Sequence, residues 1–454
     1  MAALSEWHER LEETALAPIR RTGLRYWVFV AGLLVVIGWG AYAYWTQLRD
    51  GLVVTGMRDR ISWGLYIATF VFFIGISHAG TLISAILRVS HAGWRTPVTR
   101  MAEFITVVAL VCGAAFVIID LGRPDRVLFV VVYGRWQSPI IWDVLAITTY
   151  LTASVTYLFV PMIPDLALFR DRLTGRTSRW RRWLYRVLAI GWVGNAAQRH
   201  SLATAIGVLM ILIIPIAVSV HTVVSWIFAM TLRVPWNSAL FGAFFVAGAI
   251  FSGIAILIVV MAVLRRAYHL GEYVTEKHFL YLGYLMAAFA GIMIYGNISE
   301  LLTHGYKMEE GVGFHFRQLF LTQFGPLFWF YLLGGLVAPI VLVLLPWTRN
   351  VGGMVVAAGL VTVAMWIERY VIVVSGLRVP LMPYEPADYM PTWVEWSMLA
   401  AGLALFALLI TVFTKLFPII AVWEIAEDRE TAASAAGAGL APPAAPELAG
   451  GTSR

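Results

Sequence analysis

Apolar residues in this chain neither alternate with polar ones nor stripe one face of a helix. They come in long, nearly unbroken runs separated by short polar breaks. Ten runs, near residues 26–47, 62–88, 98–119, 139–163, 201–229, 240–264, 279–302, 324–346, 351–376 and 394–422, are long enough to cross a hydrocarbon layer, which takes about 20 residues of helix. Trp and Tyr crowd their ends, as at Trp45, Trp63, Trp142 and Trp347, where an amphipathic ring suits the membrane–water boundary. The pattern predicts an all-α polytopic membrane protein with ten transmembrane helices. Composition agrees: at 60% hydrophobic and 13% charged, the chain has too few polar groups to cover the surface of a water-soluble domain.

Residues 1–25 read as an N-terminal arm of mixed charge, with Glu6, Glu9, Arg10, Glu12, Glu13, Arg20 and Arg21, and lack the pattern of a cleaved signal peptide. The transmembrane domain runs over 26–422, residues 26–60 supplying a first helix and its loop. Residues 164–200 form a basic segment in which Trp180, Trp183 and Tyr185 interleave with arginines, the signature of an interfacial amphipathic helix. Residues 423–454, rich in Ala, Pro and Gly from about Thr431, read as a disordered tail. Ten spans put both termini on one side, and the loops there hold 19 Lys and Arg against 10 opposite. The positive-inside rule then places both termini in the cytoplasm of a prokaryotic inner membrane. Attraction to lipid headgroups accounts for the net charge of +7, so no nucleic acid is implied. The one cysteine, Cys112, cannot build a disulfide, a cysteine zinc site or an iron–sulfur cluster, and no CxxCH haem-attachment motif is present.

An ionisable side chain inside an apolar helix is costly and is by default a functional candidate. In this orientation most such groups fall toward the outer face. Asp120 and Arg123 close the third helix, where a simple end-capping ion pair between them is the bland alternative. Asp143 enters the fourth helix one turn in, His221 lies in the outer third of the fifth, and Glu300 in the outer third of the seventh with His304 beyond it. Glu368 and Arg369 lie in the outer third of the ninth, as neighbours that need not pair with each other. Tyr66 is one turn into the second helix, and His78 lies three turns deeper, near the midplane and about two turns below His221. Only Glu103 is clearly in the inner leaflet. His91, His200, His269 and His278 fall at the inner interface. So many titratable groups at one level suggest a shared polar pocket for an amphipathic ligand, such as a quinone, whose oxidation state changes with protons that need acceptors nearby.

Helix 2 carries Trp63-Gly64-Leu65-Tyr66 and then Gly75-Ile76-Ser77-His78-Ala79-Gly80-Thr81. Leu121-Gly122-Arg123-Pro124, Ser138-Pro139-Ile140-Ile141-Trp142-Asp143, His221-Thr222-Val223-Val224-Ser225-Trp226 and Glu368-Arg369-Tyr370 follow in order. From about 60 to 425 the chain resembles the NrfD/PsrC family of quinone-interacting membrane subunits, most of all the ten-helix subunits of alternative complex III and related molybdopterin or sulfur-redox complexes. Asp120 stands where relatives in that complex tend to have His. The resemblance implies two four-helix bundles with flanking helices, the first beginning within 62–163, and no haem, metal or iron–sulfur cluster in this chain. It implies a quinone (menaquinone or ubiquinone) bound near the outer face, with Tyr66, His78, Asp120, Arg123, Asp143, His221 and Glu300 around it. His78, Asp120 and Asp143 would handle its protons, and Glu103, Glu368 and Arg369 would lie on a proton path. It further implies a periplasmic iron–sulfur subunit, a molybdopterin enzyme or multihaem cytochrome c behind it, and a second NrfD-like membrane subunit as partners. Two other readings remain open from the residues: a secondary transporter, which would want interrupted helices at matching positions in two halves, and a haem-bearing cytochrome, which would want paired histidines.

Overall fold

The computed structural model describes residues 2–20, 22–90, 92–173 and 177–437. Among these there is no strand. The helices are α1 (Ala2–Arg20), α2 (Leu24–Asp50), α3 (Leu65–Ile76), α4 (His78–Val89), α5 (Thr96–Asp120), α6 (Phe129–Val132), α7 (Pro139–Phe159), α8 (Ile163–Arg172), α9 (Arg179–Leu188) and α10 (Ala196–Ala229). Then come α11 (Phe241–Ala267), α12 (Glu276–Lys307), α13 (Val312–Phe320), α14 (Gly325–Trp329), α15 (Ala338–Leu344), α16 (Val351–Arg378), α17 (Trp393–Leu416) and α18 (Val422–Gly437). A π-helical segment, Phe330–Val337, joins α14 to α15. Among the described residues ten spans are long and apolar enough to cross a membrane: α2, α3 with α4, α5, α7 with α8, α10, α11, α12, α14 with α15, α16 and α17. They coincide with the ten apolar runs of the sequence.

The first and last described helices meet on one face, here called the terminal face. Lys415 Nζ donates to the Pro18 carbonyl at 2.7 Å, and His8 lies 3.4 Å from Glu430. The opposite, distal face carries the loops at 51–64, 121–138, 230–240, 308–324 and 379–392. The N-terminal arm is a helix because Trp7, Leu11, Ala15 and Ile19 recur every four residues and are buried as one stripe. Residues expected in a disordered tail are also helical as far as Gly437. Glu424 anchors them, held by Arg88 at 3.2 Å and Arg95 at 3.4 Å, with Val422 and Ile425 buried beside it. Residues 438–454 lie outside the described residues. The basic segment does contain an amphipathic helix: α9 exposes Trp180 and Trp183 and buries Tyr185, whose hydroxyl donates to the Leu416 carbonyl at 2.9 Å.

Helix α2 packs along α17, α3 and α4 along α5, and α7 along α10. Helix α11 packs on α12 and α16 but equally on α3, α4 and α10, so the helices before and after it share one core. Small residues allow this close approach. A Cβ on Gly253 of α11 would come 2.6 Å from the Ala79 nitrogen, and one on Gly80 would run into the Ala102 carbonyl.

Two spans are interrupted, which the unbroken apolar runs do not reveal. The second breaks at Ser77, whose carbonyl accepts from Thr106 Oγ1 at 2.6 Å and from the Tyr150 hydroxyl at 3.1 Å. In hydrocarbon a released backbone group must find a protein partner, and the Gly80 N–H finds one in Thr106 Oγ1 at 3.0 Å. The eighth span carries the π segment. These are not corresponding positions in two halves, so they do not make the paired broken helices of a transporter.

Gly80→Leu or Gly253→Val should abolish accumulation of folded protein, since backbone atoms lie within 2.6 Å of the added carbon. Gly207→Ala, with nothing within 4 Å, should be neutral. Yield of monodisperse protein in mild detergent checks both.

Candidate functional site

The break at Ser77 starts α4 at His78 and points its ring toward α10. His78 Nε2 lies 2.8 Å from the Ala217 carbonyl. A carbonyl only accepts, so Nε2 carries the proton and donates, leaving Nδ1 as the free nitrogen of the neutral ring. The His78 and His221 rings meet edge to face, with centroids 3.8 Å apart, and the Tyr150 ring lies 5.5 Å from His78. The expected difference in depth of two turns is therefore wrong. It assumed flush helix ends, and counting residues along each helix separately does not fix the height of one helix against another. His221 is 1% exposed, yet neither of its nitrogens has a hydrogen-bond partner, and His78 Nδ1 has none either. A buried polar atom left unsatisfied costs about 1–3 kcal/mol, so three together mark a place where further polar atoms belong. In this arrangement the two rings touch and do not flank a macrocycle as axial ligands would.

Asp143 lies toward the distal face on α7. It is buried, with Oδ1 unpartnered. Its neighbour Trp142 sits 6.5 Å from Trp226 of α10, which places His221, five residues before Trp226, about 7.5 Å further in along that helix. Asp143, His221 and His78 thus descend along the seam where α7, α10 and α4 meet.

Tyr66 and Asp120 belong to a different cluster, between α2, α3, α5 and α17. The Tyr66 hydroxyl donates to Gln47 Oε1 at 2.7 Å, and Gln47 Nε2 donates to the Ile119 carbonyl at 2.8 Å. Asp120 Oδ1 is buried without a partner. Arg123 does not pair with Asp120. Gly122, at φ +65, turns the chain outward, and Arg123, 64% exposed, pairs with Asp125 at 2.9 Å. Above this cluster Glu395 ties loop 51–64 to α17. It accepts from the Tyr389 hydroxyl at 2.5 Å, from Gly56 N at 2.7 Å and from Thr392 N at 3.0 Å. Burial, and then the Glu395 charge, push the Tyr389 hydroxyl far up, so it stays a donor.

Glu300 lies elsewhere again, in a cavity of about 100 Å³ between α11, α12, α13, α14 and α16 that Glu368, His304, His315, Asn297 and Tyr331 also line. Glu368 and Arg369, neighbours that need not pair, do pair, at 3.1 Å, and both are buried. The guanidinium also lies 4.6 Å over the Phe245 ring.

Toward the terminal face Glu103 accepts from Ser84 Oγ at 3.0 Å, and Ser84 lies 3.3 Å from the Tyr157 hydroxyl. Glu103 Oε2 has no partner. Asp165, missed in the sequence because it follows Ile163-Pro164 at an apparent helix end, is also buried at this level. It pairs with Arg100 at 3.1 Å and accepts from Trp423 N at 3.1 Å. Gln47, Asn297, His315 and Tyr331 were missed as well, because nothing local distinguishes them from packing or interface residues. His278 caps α12 by accepting from Thr275 N at 3.0 Å; His91 lies outside the described residues.

With this geometry in place, comparison with known proteins is direct. A family model described as polysulphide reductase, NrfD, matches residues 53–380. A putative membrane subunit of a dimethyl sulfoxide reductase of Halobacterium salinarum is 31% identical over 75% of this chain and 74% of its own length. The integral membrane subunit of a menaquinone reductase of Nitratidesulfovibrio vulgaris is 24% identical over 87% of this chain and 92% of its own. The integral membrane subunit of an Hdr-like menaquinol oxidoreductase of Archaeoglobus fulgidus is 25% identical over 90% and 98%.

Asp165→Asn should strip Arg100 of its buried counter-charge and destabilise the protein by about 3–5 kcal/mol, whereas Arg100→Met with Asp165→Leu should lose much less. Thermal unfolding midpoints of the variants, set against the parent protein, check the order.

Proposed function

We propose, from the premise that this chain belongs to the polysulphide reductase NrfD family, that it is the quinone-reactive membrane subunit of an electron-transfer complex. It exchanges electrons between quinol and an extrinsic iron–sulfur subunit docked on the distal face, which this reading makes periplasmic. The observation that carries the reading is the His78–His221 contact, with three buried ring nitrogens lacking partners. A quinone head group brings two oxygens that accept when oxidised and donate when reduced. His78 Nδ1 keeps a lone pair, His221 offers one donor and one acceptor, and Asp143 Oδ1 offers another acceptor. Together they can take the protons that quinol releases as its two electrons leave.

Tyr150 and Thr106 hold the Ser77 carbonyl and so fix where His78 points; neither needs to touch the ligand. Asp120 and Tyr66 stand in the neighbouring cluster, where they support proton exchange with the distal face. Glu103, with Ser84 and Tyr157, offers an acceptor toward the terminal face and a route for protons from the cytoplasm. Support for docking on the distal face comes from loop 121–138, which exposes Leu128, Phe129, Val132, Tyr133 and Trp136 beside the start of α7. Behind the iron–sulfur subunit the reading places a molybdopterin enzyme or a multihaem cytochrome. The relatives' names as membrane subunits of a dimethyl sulfoxide reductase, a menaquinone reductase and a menaquinol oxidoreductase support membership in such a complex.

His78→Ala and Asp143→Asn should each lower quinol-linked electron transfer at least about tenfold while the complex still assembles. Steady-state quinol oxidation by the purified complex is the measurement, and normal turnover in both assembled variants overturns the assignment. Glu103→Gln should leave quinol affinity unchanged but alter the number of protons moved per electron in liposomes; an unchanged ratio removes Glu103 from the route.

A further inference from the structure

The cavity beside α12 is not used by this reading. Its volume, about 100 Å³, is several times the roughly 10–15 Å³ that one water needs by the same measure. Its walls are aromatic and aliphatic: Phe241, Phe244, Phe316, Leu319 and Phe328. Polar groups gather in two levels along α12, Asn297 in the first and Glu300 with His304 in the second, one and two turns apart on one helix face.

Hydrogen bonding fixes what the polar groups can offer. Asn297 Nδ2 faces the Met293 carbonyl and the Tyr331 hydroxyl oxygen, both at 2.8 Å. Both amide hydrogens are therefore used, and the Tyr331 hydroxyl keeps its own proton to give. Glu368, 4% exposed, keeps Oε2 without a hydrogen bond although Arg369 neutralises it. The deeper level thus presents one donor and one carboxylate acceptor. At the distal level Ser238 donates to Glu300 Oε1, and His304 lies 3.3 Å from Glu300 Oε2. Gln318 Oε1 accepts from Arg378 at 3.1 Å, so its nitrogen is the atom facing the Ser375 carbonyl at 3.0 Å and His315 Nδ1 at 3.3 Å. His315 then carries its proton on Nε2. Burial, with His304 nearby, pushes His315 down to about 4, so its ring is neutral at neutral pH.

Two further features surround this space. Helix α13 roofs it from the distal side. The π segment begins at Phe330 and sets Tyr331 on the cavity wall; such segments occur frequently at functional sites. On the same stretch of α12, Ile298 and Leu302 face outward, so an apolar tail has lipid beside the cavity.

We propose that this cavity is a second head-group site, separate from the His78–His221 seam, which binds the dioxygenated ring of a quinol between Tyr331 with Glu368 at one end and Glu300 with His315 at the other. The proposal rests on the chain being quinone-reactive. Glu368 and Glu300 put one carboxylate acceptor at each end for the two hydroxyl protons of the reduced ring, Tyr331 and His315 can donate to its oxygens, and the phenylalanine walls suit its faces.

The test uses the intact complex from its native membrane and a diazirine-tagged 2-methyl-1,4-naphthoquinone reduced with dithionite, with photolabelled peptides mapped by mass spectrometry. Label is expected on two stretches, around 217–226 and around 312–331. Tyr331→Phe combined with Glu368→Gln should cut the second label at least fivefold and leave the first, and His221→Gln should do the reverse. A wild-type complex labelled only around 217–226 overturns the second site and leaves the quinone reading standing; the cavity then holds water and protons alone. Second-stretch label that Tyr331→Phe with Glu368→Gln does not reduce also overturns it. An unlabelled complex whose terminal enzyme remains active overturns both.

Discussion

The carbonyl of Ser77 is the pivot of the structure. Ser77 is the cap residue of α4, and its carbonyl accepts from Thr106 of α5 and Tyr150 of α7. Thr106 also takes the Gly80 N–H that the break releases, a group hydrocarbon could not satisfy. The two bonds keep the second span broken, start α4 at His78, and aim that imidazole across the core at α10. Gly80 and Gly253 let α5 and α11 close on the break from either side. The polar network and the small-residue packing hold one another in place, and the His78–His221 contact follows from both.

Around this pivot the buried ionisable groups lie in separate clusters rather than in one pocket. The histidine seam, the Tyr66–Gln47–Asp120 cluster, the Glu300–Glu368 cavity and the Glu103–Asp165 layer draw on different combinations of helices, with α4, α5 and α7 each serving more than one. Burial of charge inside a membrane is tolerated where partners are close, and several of the buried carboxylates have theirs: Arg369 for Glu368, Arg100 for Asp165, Arg88 and Arg95 for Glu424. What stays unsatisfied, including atoms of His78, His221, Asp120, Asp143, Glu103 and Glu368, is therefore the informative remainder.

The ten spans and the all-α class were legible in the sequence, because crossing hydrocarbon demands long apolar runs and nothing else produces them. Most of the candidate residues were legible for the same reason: a His or Asp in such a run stands out. The sequence could not group them. Depth along each helix was countable, but heights differ between helices, so two histidines judged two turns apart touch. Arg123 follows Asp120 closely in the chain but is turned away by Gly122. Asn297, His315 and Tyr331 carry no local signal, since their importance comes from the cavity they share.

By itself, then, the sequence determined the medium, the number of crossings and the places where ionisable groups enter them, since these follow from local free energies of transfer. The tertiary structure decided which of those groups meet, which are neutralised and which are left with unused hydrogen-bonding capacity. Those outcomes depend on the relative heights and rotations of packed helices, set by close contacts between residues far apart in the chain, such as Gly253 with Ala79 and Tyr150 with Ser77.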